Sequence, residues 1–258
     1  MRDTGSVQSV DRAIQVLEML ARDGEVGVAE VARELDVHNS TASRLITALS
    51  AHELVERMSD SRRVRLGVGL LRLAGATAYR LDVSTQAQPV CDALSDEVGE
   101  TVNVAVLAGD DAINVCQAQG TSAVATQNWV GQRTVLHATS SGKVLLAYLD
   151  DDECESRLAF PLERFTEHTL VSEADVRGEL EIVRQNGWAG AVEELETGLN
   201  AVAAPIRRHD GSVVAAISVA GPTYRLSPER LPDVAVTVVR AGEAISRRMG
   251  YRGPAEEP

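Results

Sequence analysis

The chain reads as an α+β protein in two parts, and three observations predict this. Within residues 8–52, apolar residues recur at helical spacing in three short runs. Over residues 54–66 two apolar stretches flank a polar, arginine-rich turn, the pattern of a hairpin. Beyond residue 84, strand-like and helix-like stretches alternate, and two pairs of strands close on tight turns. A length of 258 residues suits one large or two modest domains, and 44% apolar content is enough for a core.

Charge separates the two parts. Residues 1–80 hold 11 arginines and 11 acids; residues 81–258 hold 14 basic and 27 acidic residues and carry the whole net charge of −13. Such asymmetry predicts two domains with different surfaces. The N-terminus lacks the apolar core of a secretory signal and no apolar run approaches membrane-spanning length, so a cytoplasmic location without membrane contact is expected. Three cysteines, Cys91, Cys116 and Cys154, have no CxxC spacing. They read as reduced thiols, and neither a metal nor a cofactor is expected.

The first helix is "SVDRAIQVLEMLARDGE", with Val10, Ile14, Leu17 and Ala21 on one stripe and Gly24 at its end. The second, "GVAEVARELDV", places Val28, Val31, Ala32 and Leu35 together. Asp36 to Asn39 break it, and Asp36 is a residue that tolerates the left-handed turn needed there. The third helix starts at Asn39 or Ser40, both good N-caps. Its apolar face is Ala42, Leu45, Ile46 and Leu49; the opposite face carries Ser40, Ser43, Arg44 and Thr47, and no acid stands between Val37 and His52. Short hydroxyls and one arginine suit a helix lying in a major groove, since they reach phosphates and base edges without bulk. An isolated helix face of this kind is more often merely solvated. Here it follows two helices and a four-residue turn, which makes a helix-turn-helix and favours DNA.

"LVERMSDSRRVRLG" follows as a hairpin, the wing of a winged helix-turn-helix, with Arg62 and Arg63 at its tip facing backbone phosphates. "VGLLRLAGATAYRL" is a linker helix ending in the polar stretch Asp82–Gln88. The domain limits expected are 6–67 for the winged unit, 68–83 for the linker and 84–250 for the remainder. In that remainder, hairpins turn at Gly109-Asp110-Asp111 and Asp210-Gly211, and helices fit Gln86–Val98, Gly142–Leu149, Ala174–Asn186 and Pro228–Met249. An antiparallel sheet with helices is the expected result.

The stretch "LHATSSGKVLLAYL" holds the single lysine of the chain, Lys143, where a loop of small residues feeds a helix. A helix start is a ready anion site. A phosphate-binding P-loop is excluded, because His137 occupies its first glycine position and Val144 replaces its hydroxyl residue. Enzyme readings are weak: His137 with Glu193 as base and orienter, or Cys116 as nucleophile, would have to act without any recognisable catalytic motif. A protein-interaction module is the other alternative, against which the basic, acid-free third helix argues.

Several segments together, "SVDRAIQVLEML", "VAEVARELDVHNSTASRLITAL", "GETVNVAVL", "GQRTVLHATSSGKVLLAYL", "GWAGAVEELETGLNAVAAPI" and "AAISVAGPTYRLS", resemble the IclR family of bacterial transcriptional regulators over residues 6–249. The resemblance implies a winged helix-turn-helix, a linker helix and a GAF-like effector-binding domain. It implies dimers, often paired into tetramers, that repress or activate catabolic operons in response to organic or aromatic acids, with repression the favoured sign. The expected partners are operator DNA, a small organic acid and the chain itself. DNA contacts are expected from Asn39, Ser40, Thr41, Ser43, Arg44, Thr47, Arg62 and Arg63. Matched position by position, the effector pocket is expected to include Ala123, Thr126, Asn128, Trp129, Ser140, Ser141, Ala191, Glu193, Ala201, Ser218 and Ala220, with Lys143 tying down the loop in preference to touching the ligand. Relatives often carry a polar residue at the position of Ala191 and a cysteine at that of Ala201. Alanine at both implies a roomier, less polar pocket and a flatter ligand.

Overall fold

The computed structural model describes residues 8–58, 63–76, 78–120, 128–158 and 160–253. The chain divides into two compact units, residues 1–80 and 81–258.

In the first unit, α1 (Gln8–Asp23), α2 (Val28–Glu34) and α3 (Asn39–Ala51) pack with a three-stranded antiparallel sheet. Its strands are β1 (Glu25–Gly27), β2 (Val55–Arg57) and β3 (Arg63–Leu66), in the order β1-β3-β2, and α4 (Gly69–Ala76) follows. The hairpin β2/β3 is the expected wing, but β1 was invisible in the sequence, since three residues are too few to show alternation. Residues 59–62, with the wing tip, lie outside the described residues. Gly24 ends α1 at a φ of +76°, and Asp36 takes a φ of +48° in the turn before α3, the left-handed geometry expected of it.

Two expectations need correction here. The core face of α1 is Val16, Met19 and Leu20; of the predicted stripe, Val10, Ile14 and Ala21 are exposed and Leu17 is half-buried. Apolar residues cover more than one side of this helix, so periodicity alone offered two stripes. The N-cap of α3 is His38, with extended backbone, and its carbonyl accepts from Thr41 and Ala42 N–H. Asn39 is therefore already helical, and no side chain caps the helix.

The second unit centres on a six-stranded antiparallel sheet in the order β6-β5-β4-β9-β8-β7. The strands are β4 (Thr101–Ala108), β5 (Asp111–Ala118), β6 (Arg133–Val135), β7 (Ala189–Val192), β8 (Leu199–Arg207) and β9 (Val213–Pro222). Both predicted hairpins form, β4/β5 and β8/β9, with Gly109 at φ +66° and Gly211 at φ +86°. Helix α5 (Ala78–Val98) and α9 (Leu231–Arg248) cover one face, burying Val83, Ala87, Cys91 and Leu94 from α5 against Val104, Val202 and Ile217. The expected break at Asp82–Gln88 is absent: the helix runs through it, because buried positions spaced by four or three residues hide among polar neighbours. On the other face lie α6 (Ser140–Ala147), α7 (Asp151–Arg157) and α8 (Glu173–Asn186), packed over Ala105, Ala112, Ala189, Ala203 and Ala216.

Only part of that second face is filled. At one level of the sheet, register sets Ala191, Ala201, Ala220 and Thr101 side by side across β7, β8, β9 and β4. With strands about 4.8 Å apart, four small residues in a row leave a flat, shallow floor. No large side chain stands here to meet the layer above.

Candidate functional site

On the first unit, the outward face of α3 presents exposed Asn39, Ser40, Arg44 and Thr47, with Thr41 and Ser43 half-buried. The Thr47 hydroxyl donates to the Ser43 carbonyl at 2.8 Å and accepts from Arg57 at 3.3 Å. It thereby holds an arginine that the sequence reading missed, because the signal is a single exposed residue on a short strand. Arg44 and Arg57 have no carboxylate partner among the described residues, whereas Arg22, Arg63, Arg65 and Arg72 are all paired. Arg63 sits at the start of β3, not in a free tip. Its guanidinium donates to the Glu25 carbonyl at 2.5 Å and to Glu30 at 3.1 Å, while Glu30 accepts the Gly27 N–H at 2.8 Å. That geometry fastens the sheet to the start of α2. Arg62 falls outside the described residues.

On the second unit, a cavity of about 420 Å³ opens above the alanine floor. Seven of the expected pocket residues line it: Trp129, Ser140, Ser141, Ala191, Ala201, Ser218 and Ala220. Ala123 and Thr126 lie outside the described residues. Asn128 is exposed, accepts the Val130 N–H, and is not in the lining. Glu193 is not in it either; its carboxylate accepts the Gly198 N–H at 2.6 Å and shapes the turn after β7, and its neighbour Glu194 faces the cavity in its place. A positive φ of +51° at Glu193 breaks the strand alternation, so the facing residue could not be counted from β7.

Helix α6 forms one wall. Thr139 is its N-cap, donating to the Val135 carbonyl at 2.7 Å and accepting from Gly142 N–H at 3.2 Å. Only glycine fits at position 142, since a Cβ there would lie 2.2 Å from the Leu136 carbonyl oxygen. The first amides of the helix have no partner within it. Buried Ser140 and Ser141 follow the cap, and their hydroxyls bond to no other described residue. Lys143 does not reach the cavity. It is 2% exposed, and its ammonium donates to Glu194 at 2.6 Å, the Gly190 carbonyl at 2.8 Å and Glu179 at 3.0 Å, using all three of its protons. This clamp ties α6 to α8 and to the β7 edge. Burial pushes the Glu194 carboxyl above its usual range, and Lys143 opposes that rise.

The sequence missed several polar residues of the lining. Asn103 stands on β4 opposite Ser218 of β9. Asn114 reaches the same face because of a bulge: β4 steps from Val104 to Ala105 while β5 steps from Cys116 to Asn114. Past the bulge, Cys116 turns into the opposite core. Arg225, with Glu100 clamped on it by two hydrogen bonds, and exposed Tyr224 also border the cavity. The residues weighed for catalysis do not meet. His137 bonds to the Glu163 carbonyl at 2.8 Å, and Cys116 donates to Gln88.

A winged unit with an acid-free outward helix, joined in one chain to a second unit that contains a cavity, is the build of a DNA-binding transcriptional regulator. Residues 75–247 match the bacterial transcriptional regulator IclR C-terminal family, and residues 9–59 match the IclR helix-turn-helix domain. The chain belongs to the IclR family: it is a DNA-binding transcriptional regulator, not an enzyme. It is 32% identical to the HTH-type transcriptional regulator BhcR of Paracoccus denitrificans, over 99% of this chain and 92% of that one. It is 34% identical to the HTH-type transcriptional repressor AllR of Escherichia coli, over 95% of this chain and 91% of that one. Among solved structures it is similar to an IclR homologue from Microbacterium hydrocarbonoxydans complexed with 4-hydroxybenzoate, with 26% identity, a TM-score of 0.79, and 93% and 98% of the two chains covered. It is similar too to the Thermotoga maritima IclR, with 25% identity, a TM-score of 0.78, and 95% and 100% covered. Among the described residues, no helix is long and apolar enough to cross a membrane.

Proposed function

We propose that this regulator represses a catabolic operon and is controlled by a small aromatic acid bound in the cavity of its second unit. The observation that carries the reading is the pairing of two features. Unengaged Ser140 and Ser141 hydroxyls and free amides at the start of α6 face a floor of alanines. A helix start favours an anion, and a flat apolar floor favours a ring. Trp129 on the wall supplies an aromatic neighbour. The cavity's acids do not cancel this: Glu100 is neutralised by Arg225, Glu194 by Lys143, and Glu196 is exposed to solvent. The aromatic acid in the solved relative and the repressor among the similar proteins support the same reading. Winged units of this kind read DNA as pairs, and the exposed Val10, Ile14, Leu71 and Leu73 offer apolar surface for a second copy. A dimer, further paired into a tetramer, is the proposed assembly.

A thermal-shift screen of carboxylic acids, followed by a gel-shift with the DNA upstream of its own gene, tests the proposal. Ala201→Leu fills the floor between Ala191 and Ala220 and is expected to abolish acid binding by calorimetry while leaving ligand-free DNA binding unchanged. A leucine variant that binds and responds like the parent would remove the ligand from this cavity.

A further inference from the structure

We propose that the cavity contains a second polar subsite, built by Asn103 with Ser218 and Asn114, which reads a hydroxyl group on the effector. The inference rests on the aromatic-acid reading and adds a substituent to it. Asn103 is 7% exposed, lines the cavity, and its Oδ1 has no hydrogen-bond partner. A buried polar atom left unpaired is costly, and it persists where function uses it. Register sets Ser218 directly across from Asn103, and the bulge in β5 brings Asn114 to the same face opposite Ala105, two residues along β4. Neither side chain bonds to another described residue. All three line the cavity on a sheet face whose neighbouring positions include Ala105, Ala112, Ala203 and Ala216 in the adjoining core and Ala201, Thr101 and Thr134 in the cavity lining.

The chemistry of this cluster selects its ligand group. Oδ1 needs a donor, while the Ser218 hydroxyl and the Asn114 amide can supply donors in return. A hydroxyl satisfies both needs, because it donates one hydrogen bond and accepts others. An ammonium group cannot accept, and a second carboxylate cannot donate. The subsite lies on β4, β5 and β9, apart from the Ser140–Ser141 wall, so carboxylate and hydroxyl are held by different groups. The effector is then a hydroxylated aromatic acid.

The test is a calorimetric series on the full-length protein with benzoate, its 3- and 4-hydroxy forms and their methyl ethers. At least one hydroxybenzoate is expected to bind about tenfold tighter than benzoate, and its ether to lose that gain, since an ether cannot donate to Oδ1. Asn103→Leu is expected to erase the preference while still binding benzoate. Because it removes an unpaired buried group, the variant is also expected to melt higher, by about 2–4 °C. Equal binding of benzoate and hydroxybenzoates by the parent, or a preference retained in the leucine variant, overturns the subsite alone. Failure of the whole series to bind overturns the aromatic-acid reading together with it.

Discussion

Lys143 shows how much one side chain can carry. Its ammonium is buried among two carboxylates and a carbonyl, so each of its protons has an acceptor. Removing one partner of such a cluster leaves uncompensated buried charge, which costs about 3–5 kcal/mol. Lys143→Met is therefore expected to destabilise the protein strongly in urea melts. The deficit should depend on pH with a definite sign. Glu194 already sits above the usual carboxylate range because of burial, and loss of Lys143 removes the charge that opposed this. The folded variant then holds a proton on Glu194 more tightly than the unfolded chain does. Its stability falls as pH rises from the ordinary carboxylate range through the raised folded value, and recovers on acidification. A deficit equal at pH 5 and pH 7.5 would show that Glu194 is not the group left exposed to the loss. The lysine's oddity was legible in the sequence as the only one among 25 basic residues, but its partners were not. Glu179 and Glu194 are 36 and 51 residues away, and only the fold brings them to it.

At the scale of elements, the same pairing logic sorts the arginines of the winged unit. Arg63 is committed to Glu30 and the Glu25 carbonyl, and so fastens β3 to α2. Arg57, held by Thr47 beside α3, carries no carboxylate and is available to phosphate. Arg57→Ala is expected to weaken binding to all DNA sequences alike and to reduce the salt slope by up to about 0.9. Arg63→Ala is expected to lower the thermal stability of the wing and to leave the salt slope unchanged. Salt titrations that reverse these two results would exchange the roles. Arg44, on the helix itself, is the candidate for base reading. The sequence showed the helices other than α7, both hairpins of the large sheet and the acid-free face of α3, because each is written in local periodicity or turn chemistry. It could not show β1, β6 or β7, three or four residues long, nor the continuity of α5. Nor could it show Asn103 and Asn114 converging, since that depends on cross-strand register and on a bulge. The alanines of the floor were legible individually; their alignment into one row was not.

With the proposed acid as effector, the whole chain would carry two anionic ligands, DNA and the acid, on two units of different net charge. Residues 1–80 are neutral overall and residues 81–258 carry the entire −13. DNA binding to the first part gains from arginine–phosphate attraction and from the release of counterions, so it weakens as salt rises. An anionic effector meets the opposite field, because it must approach a strongly acidic unit. Its attraction comes from amides and hydroxyls inside a buried cavity, at contact distance, where salt screens little. Its repulsion comes from solvent-exposed carboxylates, Glu196 of the cavity lining and those spread over the surface of the unit, and salt at 0.1 M screens exposed charges over about 10 Å. Added salt therefore removes more repulsion than attraction. Between low and moderate concentrations of a salt whose anion does not itself enter the cavity, effector affinity is expected to stay level or rise while DNA affinity falls steeply. Calorimetry for the acid and anisotropy for the operator, run over the same salt series, measure the two slopes directly. An effector affinity that falls with salt in parallel with DNA would mean that an arginine, Arg225 released from Glu100 being the one at hand, holds the carboxylate in place of the start of α6.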